Sequence, residues 1–347
     1  MLALQAVTPA DLVAAVPGVS LAEARKLVAA VHRGEPVAAS SAVRRTAARA
    51  VAEAGQVPAL TVEAETASAI DPFVKYLVAA PDGARFEAVR IPLEHPGRVT
   101  VCVSSQVGCA LACAFCATGR LGLARNLAAW EIVEQVRVVR AHLPRGPARV
   151  HGVVFKGMGE PLANLDAVLQ AIRVFSEPCA LGIDARAITV CTAGLPGGIR
   201  RLAAEAPRVR LAISISSAIA AHRKAVMPIA ERHDLEDVIA AAADHARATG
   251  LSPMWAVTLL DGVNDGDGDA RALAASAIAF ATATGVRPRI SLLDYNAIGD
   301  GDRFLRSPRM AAFRAVLSAA GLASHRRYSG GSDVAAACGQ LASTGAV

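Results

Sequence analysis

From about residue 98 the chain alternates between strand-like and helix-like segments, and this constrains its fold more than any other feature. The strand-like runs are RVTVCVSS, RVHGVVFKG, AITVCTAG, RLAISISS, SPMWAVTLL and RPRISLLDY. Between them lie helical runs such as LAAWEIVEQVRVVRAHL, LDAVLQAIRVF, DLEDVIAAAADHARATG and ARALAASAIAFATATG. Parallel strands need long crossovers, and a helix is the usual one, so six such units imply parallel strands with helices packed outside. Eight units close a full barrel; six fit an open, partial (β/α)6 barrel of the α/β class. Reactive groups in such folds sit at the carboxyl ends of the strands. The segment GCALACAFCATG follows the first of these strands.

Residues 1–72 read as a small helical accessory domain. Its helical runs are PADLVAAV, LAEARKLVAAVHRG and SSAVRRTAARAVAEAG, with Thr8 as an N-cap and Pro9 at the first helical position. FVKYLVAA, the turn PDG and RFEAVRIP alternate as a β-hairpin, over residues 73–97, that bridges to a catalytic part at 98–347.

Lysine plus arginine number 36 against 30 acidic residues, a net charge of +6. That balance suits a polyanionic partner without requiring one. Basic residues gather at Arg44, Arg45 and Arg49, at Arg137, Arg140 and Arg145, and at Arg326 and Arg327. Hydrophobic residues make up 53% of the chain, yet no stretch of about 18 uncharged apolar residues is present, which argues against a spanning helix. The N-terminal run has no basic segment before it, so a signal peptide is not expected and a cytoplasmic location is. Seven cysteines, three of them clustered, fit a reducing compartment better than a disulfide framework.

The clustered cysteines are Cys109, Cys113 and Cys116, spaced C-x3-C-x2-C. Three close thiolates can bind three irons of a 4Fe-4S cluster and leave the fourth free to bind a small molecule. Structural zinc usually takes four protein ligands, and no histidine or fourth cysteine stands at suitable spacing. With Phe115 between the last two cysteines, the loop resembles that of radical S-adenosylmethionine (SAM) enzymes. The longer segments CVSSQVGCALACAFCATGRLGLARNL, GVVFKGMGEPLANLDAV, VMPIAERHDLEDV, LLDGVNDG and AAACGQLA resemble the RlmN/Cfr type of RNA adenine methyltransferases. Those enzymes methylate carbon 2 or carbon 8 of adenine in ribosomal and transfer RNA. The resemblance runs from Phe73 to Ser343 and continues more weakly into the N-terminal helices.

The resemblance implies a mechanism. Adenine carbons 2 and 8 are too weakly nucleophilic to displace a methyl group from SAM directly. In the family a cysteine, here Cys338, first takes a methyl from one SAM. A 5′-deoxyadenosyl radical from a second SAM activates that methyl group, which then adds to the base. Cys102 would release the product by attacking the Cys338 sulfur, forming a transient disulfide. Glu87 occupies the position of a proton acceptor. Gly159 and Glu160 of GMGEP match the SAM-binding segment, the glycine allowing close backbone approach and the carboxylate accepting from SAM's ammonium group. Ser214, Ile215, Ser216 and Asn296 match other SAM-contacting positions, and Cys191 stands where the family usually has serine. RNA, gripped in part by Arg44, Arg45 and Arg49, and a reductant such as flavodoxin would be the partners; no membrane is implied.

The pattern also departs from the family. Ser214-Ile215-Ser216 replaces a usual Ser-Leu-His, Ala335 a usual Asp and Gly330 a frequent Arg. These changes bear on substrate identity more than on reaction type. The same thiol-methyl chemistry on a small molecule or peptide is therefore an alternative. A non-catalytic RNA-binding or iron–sulfur sensing protein is another, but a sensor would have no use for both Cys102 and Cys338.

Overall fold

The computed structural model describes residues 1–144, 146, 148–299 and 302–342; Arg145 and Ser343 lie outside them. Ten strands form one sheet whose spatial order follows the chain. Thr61–Ala67, Val74–Ala79, Arg85–Pro92 and Arg98–Val103 run antiparallel. From Arg98–Val103 onward the strands Arg149–Phe155, Ile188–Thr192, Arg210–Ser214, Met254–Leu259, Arg289–Asp294 and Ser324–Arg327 are all parallel. The order is linear, and no ladder among the described residues joins its two ends. This is the expected partial barrel.

Two strands go beyond the sequence reading. Ser324–Arg327 is a seventh parallel strand; its four residues, mostly charged or polar, carry too little alternation to announce it. Thr61–Ala67 lies in the stretch read as helical and pairs with the hairpin instead. Its run TVEAETA alternates half-buried and exposed positions, as a strand with one covered face must.

Six helices, Ala129–Ala141, Leu165–Ser176, Pro196–Glu205, Leu235–Thr249, Asp267–Thr284 and Met310–Ala319, follow successive parallel strands. Their apolar faces join the strands in one core that includes Val101, Phe155, Phe175, Trp255 and Phe280. Trp255 meets Phe280 edge to face at 5.4 Å. No helix among the described residues is long and apolar enough to cross a membrane.

The N-terminal helices Pro9–Ala15, Leu21–Arg33 and Arg45–Ala54 have a separate core around Leu12, Leu27, Val28 and Val51. Capping boxes start the first two, Thr8 with Asp11 and Ser20 with Glu23. Arg137 and Arg140 of the first barrel helix donate to the carbonyls of Val31 and His32, at the last turn of Leu21–Arg33. There Arg140 serves a carbonyl that the helix end leaves open, and Arg137 adds a second donor to the Val31 carbonyl that Gly34 already serves. That docking accounts for both basic residues.

Candidate functional site

The cysteine loop runs from the short strand Gln106–Gly108 to the helical turn Ala117–Arg120, just beyond the carboxyl end of Arg98–Val103. Close backbone packing shapes it. A β-carbon on Gly108 would lie 1.9 Å from the Gly122 carbonyl oxygen, and one on Gly119 2.9 Å from both the nitrogen and the oxygen of Cys113. Cys109, Cys113 and Cys116 are half-buried and line one cleft of about 940 Å³, open solvent at its mouth included.

Burial pushes all three thiols up, and each is pushed further by a neighbouring anion or thiolate. Thiols crowded this way are suited to a cation that draws off their protons. Among the described residues no three His, Cys, Asp or Glu side chains meet where a single metal ion could be held. A polynuclear cluster spreads its thiolate ligands more widely, and three loop cysteines facing one cleft fit that geometry.

Gly159, Glu160, Cys191, Ser214 and Ser216 line the same cleft, so five of the seven positions matched to SAM gather beside the cysteines. Glu160 is buried; its oxygens accept from the backbone nitrogens of Leu162 (3.0 Å) and Ala193 (2.8 Å). Burial raises its carboxyl above the ordinary value, partly opposed by those N–H groups. At Gly159 the backbone is left-handed, φ 95°, and a β-carbon would sit 2.5 Å from that of Gln106. The glycine is thus required by protein packing, whatever approaches from the cleft. Ser216 is also left-handed at φ 58°, a costly state for a non-glycine residue. Its carbonyl is fixed by Asn264 Nδ2 at 2.7 Å and its hydroxyl meets Met227 Sδ at 3.0 Å.

Two matched positions are not brought to this cleft. Ile215 is fully buried in the main core. Asn296 donates to the backbone carbonyl of Cys338 at 3.2 Å and points into a neighbouring pocket.

Cys338 stands in the wall between the cysteine cleft and a second cavity of about 1420 Å³, open solvent at its mouth included, and lines both. Cys102 lines the second cavity, with His95, Arg327 and Tyr328 around it. The two sulfurs are close enough that Cys338 helps to raise the Cys102 thiol, which burial chiefly pushes up to about 12. At Cys338 burial also acts upward, but Lys156 and Arg327 outweigh it, helped by a hydrogen bond from Ser329, and leave the thiol below its ordinary value. Cys338 is therefore the readier thiolate of the pair. All seven cysteines are free thiols, so the disulfide expected from the resemblance is not a standing bond here.

Glu87 lines neither cavity. Its carboxylate is fully buried, paired with Lys75 at 3.0 Å, and accepts from the Ala342 nitrogen at 2.9 Å. It anchors the chain just after CGQL.

Of the arginines expected to grip RNA, Arg44 is held by Glu23 and Arg49 by Glu53. Arg45 is exposed and has no ion pair among the described residues. Arg326 pairs with Asp294.

The sequence reading missed Lys156, Arg223, Asp71, Ser329 and Asp333. Only Lys156, adjoining GMGEP, stood beside a recognisable motif. Asp71 accepts from Tyr328 Oη (2.7 Å) and the Gly331 nitrogen (2.8 Å), and Asp333 from Ser68 Oγ and the Ala69 nitrogen (2.7 Å each). These bonds lay the C-terminal segment against the start of the hairpin. They bear on one departure: a β-carbon at Gly330 would come within 2.5 Å of Phe73 and 2.6 Å of Asp71, so any larger residue there must displace the Phe73 ring and the Asp71 carboxylate.

No model of a known protein family matches the chain. Whole-chain relatives do. A probable RNA methyltransferase of Sorangium cellulosum is 58% identical over 347 residues, covering 94% of this chain and 88% of its own. The dual-specificity RNA methyltransferase RlmN of Syntrophobacter fumaroxidans is 42% identical over 268 residues, 77% of this chain and 75% of its own. The crystal structure of a radical SAM methyltransferase from Sphaerobacter thermophilus superposes with a TM-score of 0.88 at 34% identity, covering 99% of this chain and all of the other. With the cysteine loop and its cleft arranged as described, the chain belongs to the RlmN-type radical SAM RNA methyltransferases, enzymes that use a 4Fe-4S cluster and SAM.

Proposed function

We propose that the enzyme methylates an sp2 carbon of adenine, carbon 2 rather than carbon 8, in ribosomal or transfer RNA, with Cys338 carrying the methyl group. The observation that supports this reading best is that Cys338 borders both the cluster-side cleft and the cavity containing Cys102.

The thiolate of Cys338, favoured by Lys156 and Arg327, takes a methyl from one SAM, and S-adenosylhomocysteine leaves. With cluster and second SAM bound and one electron delivered by a reductant such as flavodoxin, the pair would supply the radical that removes one hydrogen from that methyl group. The remaining carbon bonds to the base, which must be unstacked to enter the second cavity. After the adduct has lost a proton and an electron, for which the oxidised cluster would be the acceptor, Cys102 attacks the Cys338 sulfur. The sulfur–carbon bond breaks, the freed methylene carbon takes up a proton to complete the methyl group, the product leaves, and an external dithiol returns the disulfide to two thiols. Methylating Cys338 removes the negative charge that helps hold the Cys102 thiol up, so the resolving thiolate becomes easier to form at the stage that needs it.

Nucleoside mass spectrometry of RNA from a deletion strain and its parent tests the substrate. Loss of 2-methyladenosine is expected; identical profiles would move the chemistry to another molecule. Peptide mass spectrometry of anaerobically purified protein should find one extra methyl on the Cys338 peptide.

A further inference from the structure

The barrel buries two cations among its described residues and treats them differently. Lys75 is paired with the Glu87 carboxylate at 3.0 Å. Arg223, 1% exposed on the helix Ala220–Val226, has no carboxylate partner. Its guanidinium donates to the carbonyls of Ser214 (2.7 Å), Ile215 and Ala193 (2.7 Å), reaches Met227 Sδ at 3.6 Å, and leaves its buried Nε without a partner.

A buried charge without an opposite charge is costly, and carbonyl dipoles repay only part of that cost. The cysteine loop packs beside its helix. The Ala114 nitrogen donates to Val226 at 2.9 Å, tying the cysteine loop to the end of Arg223's own helix. Cys113, Phe115, Val226 and Met227 share one apolar cluster.

We propose that Arg223 is the counter-charge of the cysteine-bound cluster: it holds the cluster's reduction potential up and pins the strand-end segments at Ala193 and Ser214–Ile215 that line or flank the cleft. This rests on the cluster occupying Cys109, Cys113 and Cys116. Reduction adds a negative charge to the cluster, and a fixed cation nearby, in a medium of low dielectric, favours that step. Arg223 is a positioning residue, since it acts on the site from beneath its wall.

The test is a redox titration of anaerobically reconstituted protein, followed by electron paramagnetic resonance, for the wild type, Arg223→Gln and Arg223→Lys. Iron and sulfide content of the wild type tests the cluster assignment by itself. In Arg223→Gln the reduction equilibrium should fall by tenfold or more, a shift of about 59 mV to more negative potential for one electron; Arg223→Lys should stay near the wild type at neutral pH. A fully loaded Arg223→Gln protein with unchanged potential would overturn the proposal. If the glutamine variant does not fold, Arg223→Lys decides. Its potential should fall below that of the wild type as pH rises and the lysine loses its proton, whereas parallel profiles would reject the counter-charge role.

Discussion

The two cysteine-bearing segments are built on opposite principles. The loop holding Cys109, Cys113 and Cys116 is set mainly by its own neighbourhood: Gly108 and Gly119 let backbone pack on backbone, and the Cys109 nitrogen donates to the Gly122 carbonyl at 2.7 Å. The segment holding Cys338 adds to its local bonds, such as that from the Cys338 nitrogen to Ser329 Oγ, a set of anchors from afar. Thr118 Oγ1 donates to the Leu341 carbonyl across 223 residues of chain, Ala342 donates to Glu87 across 255, and Ser68 donates to Asp333 across 265. A cluster site needs fixed geometry. On the proposed reading, Cys338 as methyl carrier would meet SAM on one side and substrate on the other, and would need anchors that hold it between the two cavities.

The largest expected effect separates the two segments by function. Cys338→Ala should abolish methylated adenosine while keeping full iron content; Cys113→Ala should lose both. Measured iron loss in Cys338→Ala would erase the distinction.

A smaller but still large effect tests the distant anchoring. Lys75→Met leaves the Glu87 carboxylate buried without its cation, and unfolding free energy should drop by about 3–5 kcal/mol. Pairing it with Glu87→Leu should recover much of that loss in a thermal melt. No recovery would mean that the tail contact at Ala342, and not the ion pair, is the main contribution of Glu87.

Next comes pH. Methyl capture by Cys338 needs the thiolate, so its rate should rise with pH through the Cys338 pKa. The Lys156 cation holds that pKa below the ordinary value. Lys156→Met should therefore move the rise to higher pH and slow capture at pH 7, read as labelled methyl on the Cys338 peptide in a single turnover. An unmoved profile would remove Lys156 from the account.

Smallest is Ser329→Ala, which deletes the acceptor for the Cys338 nitrogen at 2.8 Å. About 1 kcal/mol of stability should go with it, with a slight upward shift of the same pH profile.

How much could be read beforehand follows the same division. The repeated strand–helix alternation was legible because each amphipathic element carries its own period, and the cysteine spacing because one loop supplies all three ligands. Ser324–Arg327 escaped notice because four residues are too few for a period. The burial of Glu87 was not legible either: a carboxylate on an alternating hairpin strand gives no sign that it will be buried against Lys75. Asn296 was matched to SAM by position, yet its side chain turns to the Cys338 backbone. Arg223 gave no signal, since a single arginine in a helical run looks like any solvated one.

By itself, then, the sequence determined the barrel's repeating architecture and the loop that can hold a metal cluster, because spacing along the chain fixes geometry over a few residues. The fold alone decided that Cys102 and Cys338 share a cavity, that Lys156 and Arg327 come near enough to Cys338 to lower its thiol pKa, and that the helix carrying a buried arginine packs beside the cysteine loop. Such meetings depend on where strands far apart in sequence end, and on the fields of charges brought together only when the sheet has closed around them.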